Sequence, residues 1–323
     1  MDVSVVQELA NKVKLNIQKV MVGKDKSIDQ ILVAMIASGH VLLEDVPGTG
    51  KTLLAKSMAK SLSCSFNRIQ FTPDLLPTDV TGLNFYSQKE SDFIFKKGPI
   101  FSNIILADEV NRATPRTQSS LLECMEEKQV TIDGETKQLN EPFMIIATQN
   151  PVENQGTFPL PEAQLDRFLI KLDLGYPTKE EGIAILKRFK ENNPIETLSS
   201  VATTEDIIAA QRLFTSVYVS DDLLEYMLTI VEETRHHPKI ELGISPRGSQ
   251  ALLKAVQAYA AINGRSYVIP DDIKEMLKPV VSHRMVLTHT AKYKKQDPGH
   301  VLDEIVATLT VPAESIETGM TSS

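Results

Sequence analysis

The chain has 323 residues, of which 42% are hydrophobic and 24% charged, and its formal net charge at pH 7 is −8. This length predicts about two domains, and the composition is typical of a globular protein. Nucleic acid is bound by clustered lysine and arginine, so the acidic balance disfavours nucleic acid as the main partner.

Three further features bear on the compartment. Cys64 and Cys124 are far apart and lack the spacing of metal ligands, so we expect buried thiols in a reducing compartment. The N-terminal residues MDVSVVQELANKVK lack the basic start and apolar core of a signal peptide. The most apolar stretch, 31–46, is too short and too interrupted by polar residues to span a bilayer. The sequence therefore predicts a cytoplasmic protein.

Two helices are predicted before the first strand. Apolar residues recur every three or four positions from Val6 to Val20, which indicates an amphipathic helix, and a second helix is expected over 28–38. Val22 and Gly23 lie between them. An ordinary turn between two helices is one interpretation of these residues.

The stretch 40–52, HVLLEDVPGTGKT, has the strand–loop–helix pattern that a phosphate-binding loop requires. Glycines let successive backbone N–H groups converge on phosphates, and a helix N-terminus adds partial positive charge. We expect Lys51 to reach the β- and γ-phosphates and the Thr52 hydroxyl to hold Mg²⁺. Asp45 is a departure, because the usual motif has glycine at that position.

In many P-loop ATPases the segment just upstream of this loop packs on the adenine. Val22 and Gly23 are therefore candidates for that contact, with the ordinary helix–helix turn as the alternative.

The region after the loop predicts a helix from Lys51 and a strand over 68–71. A segment rich in proline and aspartate follows. Two short β-like runs, 83–86 and 93–96, are separated by polar residues and predict a hairpin that projects from the sheet.

A second buried strand, 104–107, ends in Asp108 and Glu109. A parallel strand that delivers two carboxylates at its C-terminal end is a Walker B arrangement. Asp108 is expected to bind Mg²⁺ through water, and Glu109 to act as the general base toward the attacking water.

The next segment predicts a helix that starts at Thr114–Pro115 and runs to about Glu127, then a hairpin over 130–138. A third apolar strand, 143–148, leads to Asn150. The side-chain amide of Asn150 is expected beside the carboxylates, where it could orient the lytic water. Asn150 could instead form a turn with the proline that follows it, and the two roles are compatible.

A fourth apolar run, 169–174, supplies the fifth predicted strand and completes an α/β fold in which a doubly wound parallel sheet carries the polar groups at its C-terminal edge. Beyond it only helix starts are found: a capping box at Thr178 and Glu181, and further starts near Thr203, Ser220, Ser245–Pro246 and Pro270–Asp271. We place the boundary at 175–178, which gives a nucleotide-binding αβα domain over 1–176, a smaller all-α lid over 177–285 and a C-terminal tail over 286–323. The lysines of that tail are interpreted as a solvated face.

Four segments, in the same order, resemble the AAA+ ATPases and, within them, the MoxR family of the helix-2-insert group. They are EDVPGTGKT at 44–52, LADEVNRATPRTQSSLLECMEE at 106–127, IATQNPVENQGTFPLPEAQLDRF at 146–168 and SPRGSQALL at 245–253. The resemblance implies a P-loop AAA+ core with five parallel strands, and it identifies the two hairpins as the helix-2 and pre-sensor-1 insertions.

The resemblance also assigns roles to single residues. It implies that Lys51 and Thr52 belong to Walker A, that Asp108 and Glu109 form Walker B, and that Asn150 is sensor 1. The remaining residues implied around the nucleotide are Val22, Gly23, Pro47, Gly48, Thr49, Gly50 and Leu53.

Two arginines are assigned by the same resemblance. Arg167 looks like the arginine finger that enters a neighbour's site, although pairing with Asp166 or Glu162 inside one subunit is an alternative. Arg247 looks like sensor 2, which would reach from the helical domain to the phosphates, although a surface arginine at this position is usually only solvated.

As a partner set, the resemblance implies a homo-oligomeric ring, usually hexameric, with ATP and Mg²⁺ between neighbouring subunits. It implies a chaperone-like role in maturing or activating other proteins, typically von Willebrand factor A-domain proteins with a metal-dependent adhesion site. Two alternatives stay open: the ATPase subunit of a metal-inserting chelatase, and a DNA-associated AAA+ motor, which the acidic charge disfavours. A GTPase is disfavoured because no N-K-x-D motif is found.

Overall fold

The computed structural model describes residues 3–150, 156–191 and 194–312. In chain order the strands are β1 Val41–Glu44, β2 Phe66–Gln70, β3 Gly82–Ser87, β4 Asp92–Lys97, β5 Ile104–Asp108, β6 Gln129–Ile132, β7 Glu135–Gln138, β8 Met144–Gln149, β9 Ile170–Leu172, β10 Ile240–Leu242 and β11 Val286–Leu287.

The helices follow the caps that the sequence carries. They are α1 Ser4–Gln18, α2 Asp25–Ile36, α3 Lys51–Ser61, α4 Pro77–Thr81, α5 Pro115–Glu127, α6 Glu162–Leu165, α7 Lys179–Glu191, α8 Thr204–Leu213, α9 Asp221–His236, α10 Pro246–Ile262, α11 Pro270–Val281, α12 His289–Tyr293 and α13 Pro298–Thr308. Side chains of the predicted caps Thr203, Ser220 and Ser245 accept backbone N–H bonds from the first turns of α8, α9 and α10.

The predicted five-stranded parallel sheet is confirmed, with the order β2-β5-β8-β1-β9. Side chains on both faces of β1, β5 and β8 are buried, as the continuous apolar runs predict. The register sets Glu44 opposite Gln149 and Gln70 opposite Asp108. The carboxyl ends of all five strands therefore lie along one edge, called here the nucleotide edge.

Both predicted hairpins are present, as antiparallel pairs β3–β4 and β6–β7. They contact each other: the Asn84 amide donates to Asp133 Oδ2 at 2.8 Å, and Lys137 Nζ lies 4.8 Å from the centre of the Phe95 ring. The short helix α4 in the proline-rich segment between β2 and β3 was not predicted.

Residues from 286 to the end of α13 pack on the lid instead of forming a separate tail, whereas the lysines interpreted as a solvated face, Lys292, Lys294 and Lys295, are exposed. β11 pairs with β10, and α13 packs against α9. Val301, Leu302 and Ile305 are buried on the lid because they share one face of that helix. The short β10–β11 ribbon is the exception to an all-helical lid. In the part of the chain that the structure describes, no helix has the length and apolar character needed to cross a membrane.

Candidate functional site

The phosphate-binding loop connects β1 to α3 at the nucleotide edge. Gly48 and Gly50 have φ angles of +86° and +95°, in the left-handed region that glycine adopts without strain. A Cβ built on Gly48 would meet no atom within 4 Å, so the space in front of this loop is open. The loop thus has the shape of a cradle at the N-terminus of an eleven-residue helix, where an anion is favoured.

Lys51, the first residue of α3, folds its side chain back over this loop. Its Nζ donates to the carbonyl oxygens of Asp45 and Val46, each at 2.9 Å. The ammonium is therefore held at the mouth of the cradle by weak neutral acceptors. Phosphate oxygens would be stronger, charged acceptors for the same donors.

Asp45, the departure from the usual glycine, is buried and has two backbone partners. Its Oδ1 accepts from the Val46 N–H at 2.7 Å, and its Oδ2 from the Leu174 N–H at 3.1 Å. The carboxylate therefore ties the start of the phosphate loop to the segment that follows β9. A glycine has no side chain to make this connection. The sequence motif alone does not indicate it, because Leu174 is distant in the chain.

The Asp108 carboxylate stands at the end of β5 with a partner on each oxygen. The Thr148 hydroxyl donates to Oδ1 at 2.6 Å, and Arg68 donates to Oδ2 through Nη2 at 2.6 Å. Thr148 Oγ1 also accepts from the Glu109 N–H at 2.8 Å, which locks β5 to its neighbour β8. Arg68 Nε also donates to Oδ2, at 3.0 Å. Each carboxylate oxygen has two lone-pair sites, so Oδ1 retains one for a further ligand, whereas both sites of Oδ2 are taken by Arg68.

Glu109 follows with a φ of +58°, a left-handed conformation that is uncommon outside glycine. Its Oε2 accepts from Gln70 Nε2 at 2.9 Å and from Arg112 Nη1 at 3.1 Å. Sequence reasoning missed Arg68, Gln70 and Arg112. Only the pairing of β2 with β5 brings Arg68 and Gln70 to these carboxylates, and no local pattern in the sequence indicates that pairing.

The donor set at this edge fits Mg²⁺. A threonine hydroxyl at the start of α3 and a carboxylate at the end of β5 are hard oxygen ligands, and Mg²⁺ is held by such groups together with substrate phosphates and water. Thr52 and Asp108 are the residues that would hold it.

The turn between α1 and α2 lies against the phosphate loop. A Cβ on Gly50 would be 3.5 Å from Met21 Cε, and one on Gly23 would overlap the Glu181 carboxylate. Gly23 itself has a φ of +67°. Met21, which directly precedes Val22 and Gly23, therefore lies at the loop, and this placement agrees with an adenine contact and equally with a helix–helix turn. Asn150 directly follows β8 at the nucleotide edge, and residues 151–155 after it lie outside the described residues.

Arg167 lies at the opposite edge of the sheet. Its Nη1 donates to the Leu122 carbonyl at 2.8 Å and forms an ion pair with Glu126 Oε2 at 2.7 Å. Glu126 is near the end of α5, beside Met125, whose carbonyl oxygen is 3.0 Å from His40 Nε2. His40 directly precedes β1, so these residues lie where the strands begin. The sheet places β1, about 13 Å long, between them and the phosphate loop.

Neither alternative partner predicted for Arg167 is used. The Asp166 carboxylate instead accepts from Arg284 Nε at 2.7 Å and from the Ser245 hydroxyl at 3.2 Å. Arg284 is buried, and burial lowers its pKa while Asp166 opposes that shift. These bonds dock the lid onto the edge of the sheet where the strands begin.

Arg247 is brought to the same place by this docking. Its Nη2 is 2.5 Å from Glu126 Oε1, so one carboxylate binds both predicted arginines. The expectation that Arg247 reaches the phosphates from its own helical domain is therefore not met within one chain, because the lid is anchored at the far edge. Glu126 was not predicted, since it stands among other acidic residues near a helix end.

Both cysteines have an inert environment. Burial raises the pKa of the Cys64 and Cys124 thiols to about 12, and both are free. Neither is therefore a nucleophile at neutral pH.

Comparison with known proteins agrees with this geometry. The family model described as "ATPase family associated with various cellular activities (AAA)" matches residues 40–170, and an AAA lid domain model matches residues 232–305. The first match spans the sheet from His40 to the start of β9. The second ends within α13, in agreement with the packing of that helix on the lid.

Relatives and a solved structure match nearly the whole chain. The uncharacterised protein YeaC of Bacillus subtilis is 51% identical over 95% of this chain and 96% of its own length. Chaperone MoxR1 of Mycobacterium tuberculosis is 39% identical over 92% of this chain and 80% of its own length. The crystal structure of a candidate ATPase from Cytophaga hutchinsonii superposes with a TM-score of 0.89 at 38% identity, covering 96% of this chain and 98% of the other. The chain belongs to the MoxR family of AAA+ ATPases.

Proposed function

We propose that this protein hydrolyses ATP to ADP and phosphate and uses the cycle to remodel or activate other proteins. The observation that carries the proposal is the meeting of two motifs at one sheet edge. The cradle with Lys51 and Thr52 follows β1, and Asp108 with Glu109 ends β5, two strands away in the same parallel sheet.

The residues divide the chemistry between them. Lys51 would exchange its two loop carbonyls for phosphate oxygens, and the loop N–H groups would hold the remaining charge. Mg²⁺, held by Thr52 and Asp108, would neutralise charge that develops on the phosphates. Glu109 would accept a proton from water as its oxygen attacks the γ-phosphorus, while the bond from that phosphorus to the β,γ-bridging oxygen breaks.

The bonds that the Glu109 carboxylate accepts from Gln70 and Arg112 both fall on Oε2. A general base needs a lone pair directed at the water, and Oε1 is the oxygen that we propose for this role.

The proposed ATP site is shared between subunits of a ring, usually hexameric in this family. Arg167 and Arg247 lie at the edge of the sheet away from their own phosphate loop, so they would have to act on a neighbour's nucleotide. Exposed apolar side chains spaced every three residues along α7 support assembly; they are Ile183, Leu186 and Phe189.

The variant Glu109→Gln tests hydrolysis. The amide keeps the shape of the side chain and removes the base, so ATP–Mg²⁺ binding should stay near normal while phosphate release falls roughly 10²–10⁴-fold. Binding is measured by calorimetry and turnover by released phosphate. Near-normal turnover would place the base elsewhere.

The Glu109→Gln variant also tests which protein the ATPase acts on. On the strength of the family resemblance we propose a von Willebrand factor A-domain protein with a metal-dependent adhesion site as partner. A hydrolysis-dead subunit held with ATP should retain that partner in a pull-down, and the Lys51→Ala variant should not. Equal recovery by both variants would make the binding independent of nucleotide and contradict the proposed cycle.

A further inference from the structure

Glu126 is the residue on which Arg167 and Arg247 converge. Each carboxylate oxygen is taken by a different guanidinium: Oε2 by Arg167 at 2.7 Å and Oε1 by Arg247 at 2.5 Å. The two arginines come from different domains, one just before β9 and the other in the first turn of α10. One side chain of α5 thus joins the core and the lid at this edge.

The charges explain why a carboxylate is needed there. Arg167 and Arg247 carry like charges and approach one anion, and the buried Arg284 lies close enough that Arg247 contributes to lowering its pKa. Asp166 is occupied by Arg284, so Glu126 is the anion that offsets the remaining two cations. Those two arginines in turn lower the pKa of Glu126, chiefly through the hydrogen bond from Arg247, so it stays ionised at neutral pH.

The position of Glu126 is also fixed through the backbone of its own helix, α5. His40 holds the adjacent Met125 carbonyl at 3.0 Å, and Arg167 donates a second bond to the Leu122 carbonyl one turn earlier in α5. Arg247 is held by the start of α10, whose cap Ser245 bonds to Asp166. The carboxylate therefore lies on a rigid support between two long, otherwise mobile side chains.

Exposure shows that stability is not the main effect of this ion-pair cluster. The side chains of Arg167, Arg247 and Glu126 are 30%, 43% and 37% exposed, and ion pairs with this much solvent contact contribute little to folding. Each guanidinium has five donors, so most donors remain available to another anion. A phosphate group is such an anion, and it matches the planar fork of arginine.

We propose that Glu126 is a positioning residue for ATP hydrolysis: it holds Arg167 and Arg247 as one preorganised pair for the γ-phosphate bound by the neighbouring subunit. This inference rests on the proposed sharing of the site between subunits. Without the carboxylate the two cations repel each other and adopt many rotamers. Ordering both side chains then adds to the activation free energy of hydrolysis.

The test begins with Glu126→Gln, which keeps the shape of the side chain and removes its charge. We expect kcat to fall about 10- to 100-fold, the range for lost support of a catalytic group, with the KM for ATP nearly unchanged because the variant's own cradle is intact. Glu126→Asp keeps the charge and should recover part of kcat. Glu127→Gln, the same change at the exposed neighbouring residue, is the matched control and should behave like wild type.

Mixing separates positioning from a merely structural effect. Glu126→Gln damages the arginine half of the site and Glu109→Gln the other half, so their mixture should regain activity. A mixture of Glu126→Gln with Arg167→Ala damages one half twice and should stay slow. The double variant Glu126→Gln/Arg167→Ala should be no slower than Arg167→Ala alone.

The outcomes distinguish this inference from the function on which it rests. Wild-type turnover by Glu126→Gln would overturn it. So would a slow Glu126→Gln that Glu109→Gln fails to complement, in an experiment where Arg167→Ala and Glu109→Gln do complement each other. If that benchmark pair also stays inactive in co-assembled subunits, the shared site itself is abandoned, and the role of Glu126 with it.

Discussion

At the residue scale, the site is built from side chains that already have partners. Lys51 bonds to two loop carbonyls, Asp108 accepts from Thr148 and Arg68, and Glu109 accepts from Gln70 and Arg112. These partners are neutral or half-exposed, so they can be exchanged for nucleotide and metal at small cost. They also fix the rotamers of the catalytic groups before substrate arrives.

Lys51→Ala is the prediction that belongs to this scale. It removes the ammonium that would meet the β- and γ-phosphates, so affinity for ATP should fall together with turnover. Calorimetric titration with ATP measures the affinity directly. Lys56→Ala, a change of the same kind at an exposed position of α3, is the control and should bind normally. Unchanged affinity for Lys51→Ala would mean that the loop is not a phosphate site.

Single residues also show the limits of sequence reasoning. Lys51, Thr52, Asp108 and Glu109 follow apolar strands and could be found from local pattern. The roles of Asp45 and Glu126 depend on groups 129 and 41 residues away in the chain, Leu174 and Arg167. No spacing rule connects such pairs, because only the packed sheet and lid bring them together.

At the element scale, α5 is fastened to the sheet by a buried histidine. His40 Nδ1 accepts from the Ile145 N–H at 3.0 Å, so the neutral ring carries its proton on Nε2 and donates it to the Met125 carbonyl. Burial lowers the pKa of His40 to about 4, with a smaller contribution from Lys128. Protonation would remove the acceptor at Nδ1 and place a charge in the core.

This histidine predicts a pH dependence of stability. Because the folded pKa lies below the ordinary value of about 6.5, the unfolded chain binds the proton more tightly. Stability from this group is complete above pH 6.5 and is lost as the pH falls toward 4, by about 2 kcal/mol between pH 7.5 and 5. His283 is buried too and acts with the same sign.

Comparison with His40→Gln isolates the contribution. The free energy of unfolding in urea is measured for both proteins at pH 7.5 and pH 5. The variant should be less stable than wild type at pH 7.5, and its stability should fall by about 2 kcal/mol less on acidification. Equal pH dependence of the two proteins would show that His40 does not titrate between them.

Elements with strong local signals were predicted and are confirmed. The five strands, both hairpins and the helices after Thr203, Ser220 and Ser245 all have caps, turns or apolar runs that act within a few residues. The ribbon β10–β11 was missed because its pairing joins segments more than 40 residues apart. For α13 a signal existed, because Asp297 caps the helix and apolar residues follow on one face, but the segment from 286 was assigned to a tail separate from the lid.

At the scale of the whole molecule, the two halves of the proposed shared site lie at opposite edges of the sheet in one chain. The cradle, Asp108 and Glu109 lie at the nucleotide edge, and Arg167, Arg247 and Glu126 lie where the strands begin. Docking of the lid through Arg284 and Asp166 keeps the second half together. If the site is shared as we propose, it is productive only when subunits assemble head to tail, which a closed ring would provide.

The most direct test of this account is complementation between two inactive variants. A guanidinium at the γ-phosphate stabilises the transition state, and such fingers raise turnover about 10³–10⁵-fold, so Arg167→Ala should bind ATP and hydrolyse it very slowly. Glu109→Gln should be inactive for a different reason. Phosphate release is measured for each variant alone and for their mixture over a range of protein concentrations. The account predicts that the mixture regains activity and that the gain rises with concentration, whereas a mixture that stays inactive while the subunits co-assemble and exchange would contradict it.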